Sequence, residues 1–160
     1  MRKVLLLATV VAVAGASPAA IRVGAVGAAP SAGRSTTVVI STRKLPKLGT
    51  VLVNSKGRTL YMFVPDKRKK VTCLGSCAVV WPPVKLPTGA KPVAKGHAKA
   101  SLLGSDPNPA GGRVVTYARW PLYTYVTDTS PGAAKGQALN LNGGLWYVLA
   151  PSGKVIRTKL

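Results

Sequence analysis

Two cysteines are the residues of this chain most directly suited to chemistry. Cys73 and Cys77 are its only thiols, and Gly75 between them allows a sharp bend. In an oxidising compartment such a pair is expected to form a disulfide, and the chain-entropy model gives so short a loop only about 2 kcal/mol. Two alternatives stay open. One is a reducible redox pair, and the other is a metal site that would need further ligands from His97, Met62 or an Asp.

Acid–base catalysis has few residues to draw on. The 160 residues contain one histidine, three aspartates and no glutamate. Glycoside hydrolysis usually requires a pair of carboxylates, and metal-assisted hydrolysis requires clusters of His and carboxylate ligands. His97 lies in a stretch rich in Pro, Gly and Ala, and the sequence contains no Gly-x-Ser-x-Gly nucleophile elbow. The sequence therefore predicts a protein that is not an enzyme, with no catalytic residue, no metal site and no cofactor.

One seven-residue pattern occurs twice, as LYMFVPD at 60–66 and as LYTYVTD at 122–128. Both copies read Leu-Tyr-x-aromatic-Val-x-Asp without a gap, which is an internal repeat. The repeat predicts that the chain is built from two related β units. The repeat-motif residues are Tyr61, Phe63 and Asp66 in the first copy, and Tyr123, Tyr125 and Asp128 in the second.

The motif residues have a structural and a functional interpretation. The aromatic rings alternate along strands, which favours core packing with tyrosine hydroxyls on polar partners; the alternative is exposed rings that stack on sugars or on a planar cofactor. Each aspartate ends a strand, where an Asx turn would cap the chain reversal; the alternative is that both carboxylates meet as a small cation site. Trp81 and Trp146, which follow the two copies, are expected to fill the core.

The charge of the chain is strongly positive. It has 23 Lys and Arg against three acidic residues, a net +20, which falls by two to +18 if Arg2 and Lys3 leave with a leader. Such a charge favours anionic partners, and outside the cell these include envelope polymers, acidic lipid surfaces, polysaccharides and free DNA. No recognition helix, zinc-finger spacing or RNA-binding signature is present, so no specific nucleic-acid partner is predicted.

Basic residues cluster in two places. The candidate anion-binding cluster is Lys67, Arg68, Lys69 and Lys70, directly after Asp66. A second group is spread through the stretch that contains His97. For both, the alternative is a solvated loop that only adds solubility. The second group consists of Lys85, Lys91, Lys95 and Lys99.

The elements that position these residues are expected to be strands. Apolar residues at 51–53, turn residues at 54–57 and a returning strand at 58–64 form a hairpin. The returning strand is apolar on both sides, so we expect it to be covered on both faces. No segment of ten or more residues shows a helical period. The prediction is all-β, with one antiparallel domain at 47–160 made of two pseudo-repeats with hairpins, at about 47–85 and 112–160, and a linker at 86–111.

The N-terminus predicts export. Arg2 and Lys3 precede an apolar run at 4–13 and then Ala14-Gly15-Ala16, which is the layout of a secretory signal peptide. The run is shorter than the ~20 apolar residues of a spanning helix. We therefore predict a signal peptide and leader at 1–29, cut after Ala16 or later, and no transmembrane span after cleavage. The segment 30–46 is predicted to be flexible, with an early strand at 38–40 as the alternative.

Together these residues resemble a secreted-repeat family described by a Tyr-x-[Phe/Trp/Tyr]-x-x-Asp motif and often described as predicted lipoproteins. The resemblance extends over residues 47–157 and includes Cys-x-Gly-x-Cys at 73–77, Trp-Pro-Pro at 81–83 and Gly-x-Trp-Tyr-Val at 144–148. The chain lacks the lipid-modified cysteine that such lipoproteins carry, so lipid anchoring does not carry over. The family has no established activity, and the resemblance implies a secreted or surface location.

Three functions remain open at this point. The first is a secreted or envelope-associated, basic, non-enzymatic protein that binds an anionic envelope polymer or an acidic lipid surface through Lys67–Lys70. The second is an extracytoplasmic redox, cofactor-binding or metal-binding protein that uses Cys73, Cys77 and the motif aromatics. The third is a structural envelope protein without a small ligand.

Overall fold

A computed structural model describes residues 37–67 and 70–160 of the chain. The predicted leader at 1–29, residues 30–36 of the predicted flexible segment, and Arg68 and Lys69 of the basic cluster lie outside this part. In it, a five-residue helix α1 (Ser76–Val80) and two short 3₁₀ helices accompany ten strands. The strands are β1 (Val38–Leu45), β2 (Gly49–Asn54), β3 (Tyr61–Phe63), β4 (Lys85–Leu86), β5 (Pro92–Ala94), β6 (Leu103–Pro107), β7 (Arg113–Tyr117), β8 (Trp120–Pro121), β9 (Asn140–Leu141) and β10 (Gly144–Val148).

The strands form three small sheets with the orders β2-β1-β5, β3-β10-β9 and β4-β7-β6, and β8 pairs with β7. Every pair is antiparallel except β1 with β5, which is parallel. The predicted all-β antiparallel class is therefore confirmed. None of the described helices is long and apolar enough to cross a membrane.

Strand β1 occupies residues 38–45 of the segment 30–46, which the sequence suggested to be flexible. It pairs with β2 from Ile40↔Asn54 to Leu45↔Gly49, and both Ile40 and Leu45 are buried. The alternative prediction of an early strand at 38–40 agrees with the first three residues of β1, although the strand continues through the polar residues at 41–44. Those residues carry no apolar alternation, so the strand depends on pairing with β2 and not on a local pattern.

The predicted linker at 86–111 also contains regular structure. Strand β5 adds to β1 with the register Val38↔Pro92 to Ile40↔Ala94, and β6 pairs with β7 from Leu103↔Tyr117 onwards. Strand β5 has only three residues and begins with Pro, and β6 contains Gly, Ser, Asp and Pro, so neither has the residue types that indicate a strand. Their partners lie elsewhere in the chain, and only the fold brings them together.

The two predicted hairpins are present near both ends of the domain. Val53 bridges Thr59 across a turn in which Gly57 has φ +73°, and Leu149 bridges Val155 across a turn in which Gly153 has φ +82°. The left-handed conformation at these positions suits glycine, which has no Cβ to clash. The returning strand of the first hairpin is shorter than predicted, because the chain turns into a 3₁₀ helix at Val64–Asp66.

Strand β3 separates two hydrophobic clusters. Tyr61 and Phe63 belong to one cluster, and Leu60 and Met62 belong to the other. This is the period-two arrangement of a strand that is covered on both faces.

A segment of each repeat pairs with the other repeat. The Val115 N–H donates to the Val84 carbonyl at 2.8 Å, and the Leu52 N–H donates to the Leu149 carbonyl at 3.2 Å. Val84 lies three residues after Trp81, and Leu149 lies three residues after Trp146. The segment after each tryptophan therefore leaves its own repeat and pairs with the hairpin of the other.

Candidate functional site

The two motif copies meet at their tyrosines. The Tyr61 N–H donates to the Tyr123 carbonyl at 2.9 Å, and the Tyr123 N–H donates to the Tyr61 carbonyl at 3.0 Å. Two residues that exchange both backbone hydrogen bonds form a hydrogen-bonded pair of an antiparallel ladder. This pair is the centre about which the two repeats are related.

The side chains of each copy bond to the other copy. The Tyr61 hydroxyl donates to Asp128 Oδ2 at 2.6 Å, and the Tyr123 hydroxyl donates to Asp66 Oδ2 at 2.8 Å. All four residues are buried, with exposed fractions of 0 to 2%. The motif therefore pairs a tyrosine and an aspartate that are far apart in sequence, and the tyrosine hydroxyl of each copy donates to the aspartate of the other copy.

The remaining oxygen of each aspartate closes the loop that follows its motif. Asp66 Oδ1 accepts from the Thr72 N–H at 2.8 Å and from Thr72 Oγ1 at 2.7 Å, and Asp128 Oδ1 accepts from the Lys135 N–H at 2.8 Å. An Asx turn would bond only two residues ahead. The aspartates thus bond to residues six and seven positions ahead in the sequence, a longer reach than that of the predicted turn.

Burial controls the protonation of these groups. Desolvation raises the pKa of Asp66 and of Asp128 above the ordinary value for aspartate, although the donated hydrogen bonds act in the opposite direction. Desolvation and the neighbouring carboxylate raise the pKa of Tyr61 and of Tyr123 far above the ordinary value. The tyrosines therefore remain protonated donors throughout the physiological range.

Four aromatic rings form one continuous stack across the two repeats. Trp81 and Trp146 lie at the centre with ring centroids 3.8 Å apart and planes 2° apart. Tyr125 stacks on Trp81 and Phe63 stacks on Trp146, each at 4.1 Å. The ring position of each motif copy thus packs against the tryptophan of the other repeat.

The motif tyrosines contact the two tryptophans of this stack edge-on. Tyr61 meets Trp81 edge-on at 5.4 Å, and Tyr123 meets Trp146 edge-on at 5.2 Å. Both tryptophans have no exposed surface, as expected of side chains that fill a core. The alternative in which the motif rings stack on a planar cofactor would require this packing to open.

Gly136 makes the packing possible. A Cβ at this position would lie 2.7 Å from Trp81 and 2.9 Å from Tyr61. Its N–H donates to the Tyr61 hydroxyl at 3.3 Å, and the backbone of Cys73 makes the corresponding hydrogen bond to Tyr123. Gly136 was not singled out from the sequence, and an isolated glycine in a turn-rich stretch gives no signal of such a contact.

The two cysteines form a disulfide. Cys73 and Cys77 are bonded, with Cα atoms 5.2 Å apart, and Cys73 is buried in the cluster that contains Trp81. The bridge spans the start of helix α1. Among the described residues no group of three or more His, Cys, Asp or Glu is placed to hold a metal ion.

The loop that carries the predicted basic cluster begins at Asp66 and ends at Thr72. Lys67 and Lys70 are exposed, and Lys67 has a left-handed backbone with φ +44°. The clamp of Asp66 on Thr72 holds the two ends of the loop together. The two described cations of the cluster, Lys67 and Lys70, therefore lie on the surface near the joined ends of this segment.

A second basic surface combines Lys95, which belongs to the second basic group of the sequence, with cations that the sequence did not single out. Two cavities of 550 and 290 Å³ are neighbours, because Asn54 and Lys56 line both, and we call the two together the basic groove. Its cations come from separate parts of the sequence, and only the pairing of β1 with β2 and β5 brings them together. They are Arg43, Lys56, Arg58 and Lys95.

Fold and motif together define a class of protein: an all-β chain of two repeats that interlock through a shared aromatic core. A family model described as a secreted repeat of unknown function matches residues 42–85 and 107–150. The chain belongs to this family, and the resemblance drawn from its motifs is confirmed. The matched segments begin five residues earlier than the predicted repeat units. The search of curated proteins and the search of solved structures each gave no match.

Proposed function

We propose that the chain is a secreted, non-enzymatic binding module that attaches to an anionic polymer or acidic lipid surface of the cell envelope. The observation that carries the proposal is the burial of its acids. Asp66 and Asp128 are 0% and 2% exposed, which leaves Asp106 as the one other acidic residue against 23 Lys and Arg. A surface so poor in negative charge attracts polyanions over roughly 10 Å at 0.1 M salt.

The loop that contains Lys67–Lys70 is the first candidate for the contact. Four consecutive cations follow Asp66 in the sequence, and two hydrogen bonds donated by Thr72 to Asp66 Oδ1 join the two ends of this segment. A closed loop loses less conformational entropy on binding than an open one.

Co-sedimentation of residues 30–160 with anionic envelope material across a salt series tests the proposal. We expect binding at low salt that falls steeply as salt rises. We also expect a larger loss when residues 67–70 are changed to Gln than when four exposed lysines elsewhere are changed. That matched control replaces Lys91, Lys99, Lys154 and Lys159 with Gln.

Absence of binding at low salt would overturn the proposal. It would favour the alternative that the positive charge only increases solubility. Equal losses in the two variants would overturn the role of residues 67–70 while leaving the attachment in place. The redox or cofactor-binding alternative has less support from the geometry, because the motif rings pack on one another and Cys73 is buried.

A further inference from the structure

We infer that the basic groove is a binding site for a segment of an anionic glycan, that is, a chain of sugar rings carrying carboxylate or phosphate groups. The inference rests on the proposed function and names the surface and the ligand class that would serve it. It assigns the recognition to a surface distinct from the loop at 67–70.

The first cavity of the groove is suited to negative groups. Arg43, Lys56 and Lys95 line it together with the hydroxyl-bearing residues Ser41 and Thr42. Among the described residues that line this cavity, none is acidic. Cations surrounded by hydroxyl and amide donors match the oxygens of carboxylates and phosphates.

The position of Arg43 is set by two glycines. A Cβ at Gly57 would lie 3.3 Å from the guanidinium Nη2 of Arg43, and a Cβ at Gly132 would lie 3.1 Å from its Cδ. The Gly132 N–H also donates to the Gly57 carbonyl at 3.0 Å, which ties the two turns together. The arginine stem therefore lies between two fixed turns, and its head borders the cavity while remaining exposed.

The second cavity is suited to a sugar ring. Tyr125 lines it, and because this ring is stacked on Trp81 at 4.1 Å it is held in one orientation while remaining partly exposed. Lys56 and Arg58 border the same cavity. Its one carboxylate, Asp128, is 2% exposed and bonded to Tyr61. An aromatic ring beside cations offers a stacking surface next to charge recognition, as a charged glycan requires.

The test compares two variants that each remove three positive charges. The groove variant is Arg43→Gln/Lys56→Gln/Lys95→Gln, and the control variant is Lys85→Gln/Lys91→Gln/Lys99→Gln, which changes exposed lysines outside the groove. Affinities of residues 30–160 are measured by titration calorimetry for oligogalacturonate, a phosphorylated mannan and poly-glutamate of similar charge. Unfolding midpoints of both variants are recorded to verify that they fold.

We expect both glycans to bind the wild type more tightly than poly-glutamate, which has charge but no sugar ring. The groove variant should lose at least tenfold in glycan affinity, and the control variant about twofold. The two glycan probes distinguish carboxylate from phosphate as the preferred group.

Equal losses in the two variants would overturn the groove as a site while the proposed attachment through overall charge stands. Poly-glutamate bound as tightly as the glycans, or single-stranded DNA bound more tightly through the same residues, would overturn the ligand class. Absence of binding to every probe at low salt would overturn both the groove and the proposed function.

Discussion

The tyrosine–aspartate pairs are the residues on which the two repeats most depend. A buried carboxylate deprived of its donor loses one hydrogen bond and keeps its desolvation cost, which together amount to about 1–3 kcal/mol. Here the deprived group lies in the other repeat, because Tyr61 bonds Asp128 and Tyr123 bonds Asp66. A single substitution thus weakens both halves.

Replacing Tyr61 with Phe is expected to lower the free energy of unfolding by about 1–3 kcal/mol, measured in urea. In a double-mutant cycle Tyr61→Phe should couple with Asp128→Asn and not with Asp66→Asn, because the hydrogen bond joins only the first pair. Tyr147→Phe is the control, since that ring packs under Arg157 at 5.1 Å outside the motif. Coupling between Tyr61 and Asp66 would contradict the crossed pairing.

Because the pKa of the buried motif aspartates is raised, the free energy of unfolding is expected to change with pH. A carboxyl whose folded pKa lies above its unfolded value contributes stability that is fully present below about 3.9 and is lost as pH rises through the folded pKa. Burial raises the pKa of Asp128 in this way. The wild type should therefore be most stable relative to Asp128→Asn in acid. An advantage that grows from acid to neutral pH would contradict this.

The tyrosines limit stability at the alkaline end. The unfolded state releases tyrosine protons near pH ~10, whereas burial raises the pKa of Tyr61 and of Tyr123 in the folded state well above that value. Stability should therefore fall with rising pH above about 10. The slope should be smaller in Tyr61→Phe, as measured by urea unfolding at a series of alkaline pH values. An unchanged slope would contradict the shift.

At the scale of elements, the aromatic stack requires close approach of the loop that contains Gly136. An added Cβ would meet the rings of Trp81 and Tyr61 below 3.0 Å, and overpacking of this kind costs about 1–3 kcal/mol. Gly136→Ala should lower stability by that amount and weaken the near-ultraviolet circular dichroism of the stacked tryptophans. Gly104→Ala is the matched control, because its Cβ would meet only the Thr116 hydroxyl. Equal effects of the two would contradict the argument.

The elements differ in how well the sequence predicts them, for physical reasons. Strand β2 was predicted from its apolar run, as was the burial of Trp81 and Trp146, and β7 and β10 carry apolar residues of the same kind. Strands β1, β5 and β6 are largely polar or contain Pro and Gly, and only distant partners hold them in place. Helix α1 is too short for a period to be seen.

The residues of the candidate site also differ in how well the sequence predicts them. Duplication of the motif indicated which residues matter, yet the crossed pairing of tyrosine with aspartate could not be read from a pattern that names both in one copy. The basic groove was not predicted as one surface because its cations come from three separate parts of the sequence, and only Lys95 among them was singled out, whereas the cations at 67–70 are consecutive.

At the scale of the whole molecule, the two repeats form one folding unit. They share the tyrosine–aspartate pairs, the aromatic stack and the exchanged segments at Val84 and Leu149. Cutting the chain after the exposed Gly96 gives fragments 30–96 and 97–160. We expect neither fragment to unfold cooperatively alone, and their mixture to recover native circular dichroism. A fragment that unfolds cooperatively by itself would contradict the interpretation that the two repeats form one folding unit.

The crossed bonds also bear on ancestry. Since the tyrosine hydroxyl of each motif copy donates to the aspartate of the other copy, a chain with a single repeat would find the same partner only in a second molecule. The closely similar contacts on the two sides of the Tyr61–Tyr123 pair are what fusion of a symmetric homodimer into one polypeptide would produce. A single-repeat relative of this chain should accordingly be an obligate dimer, whose folding depends on its concentration.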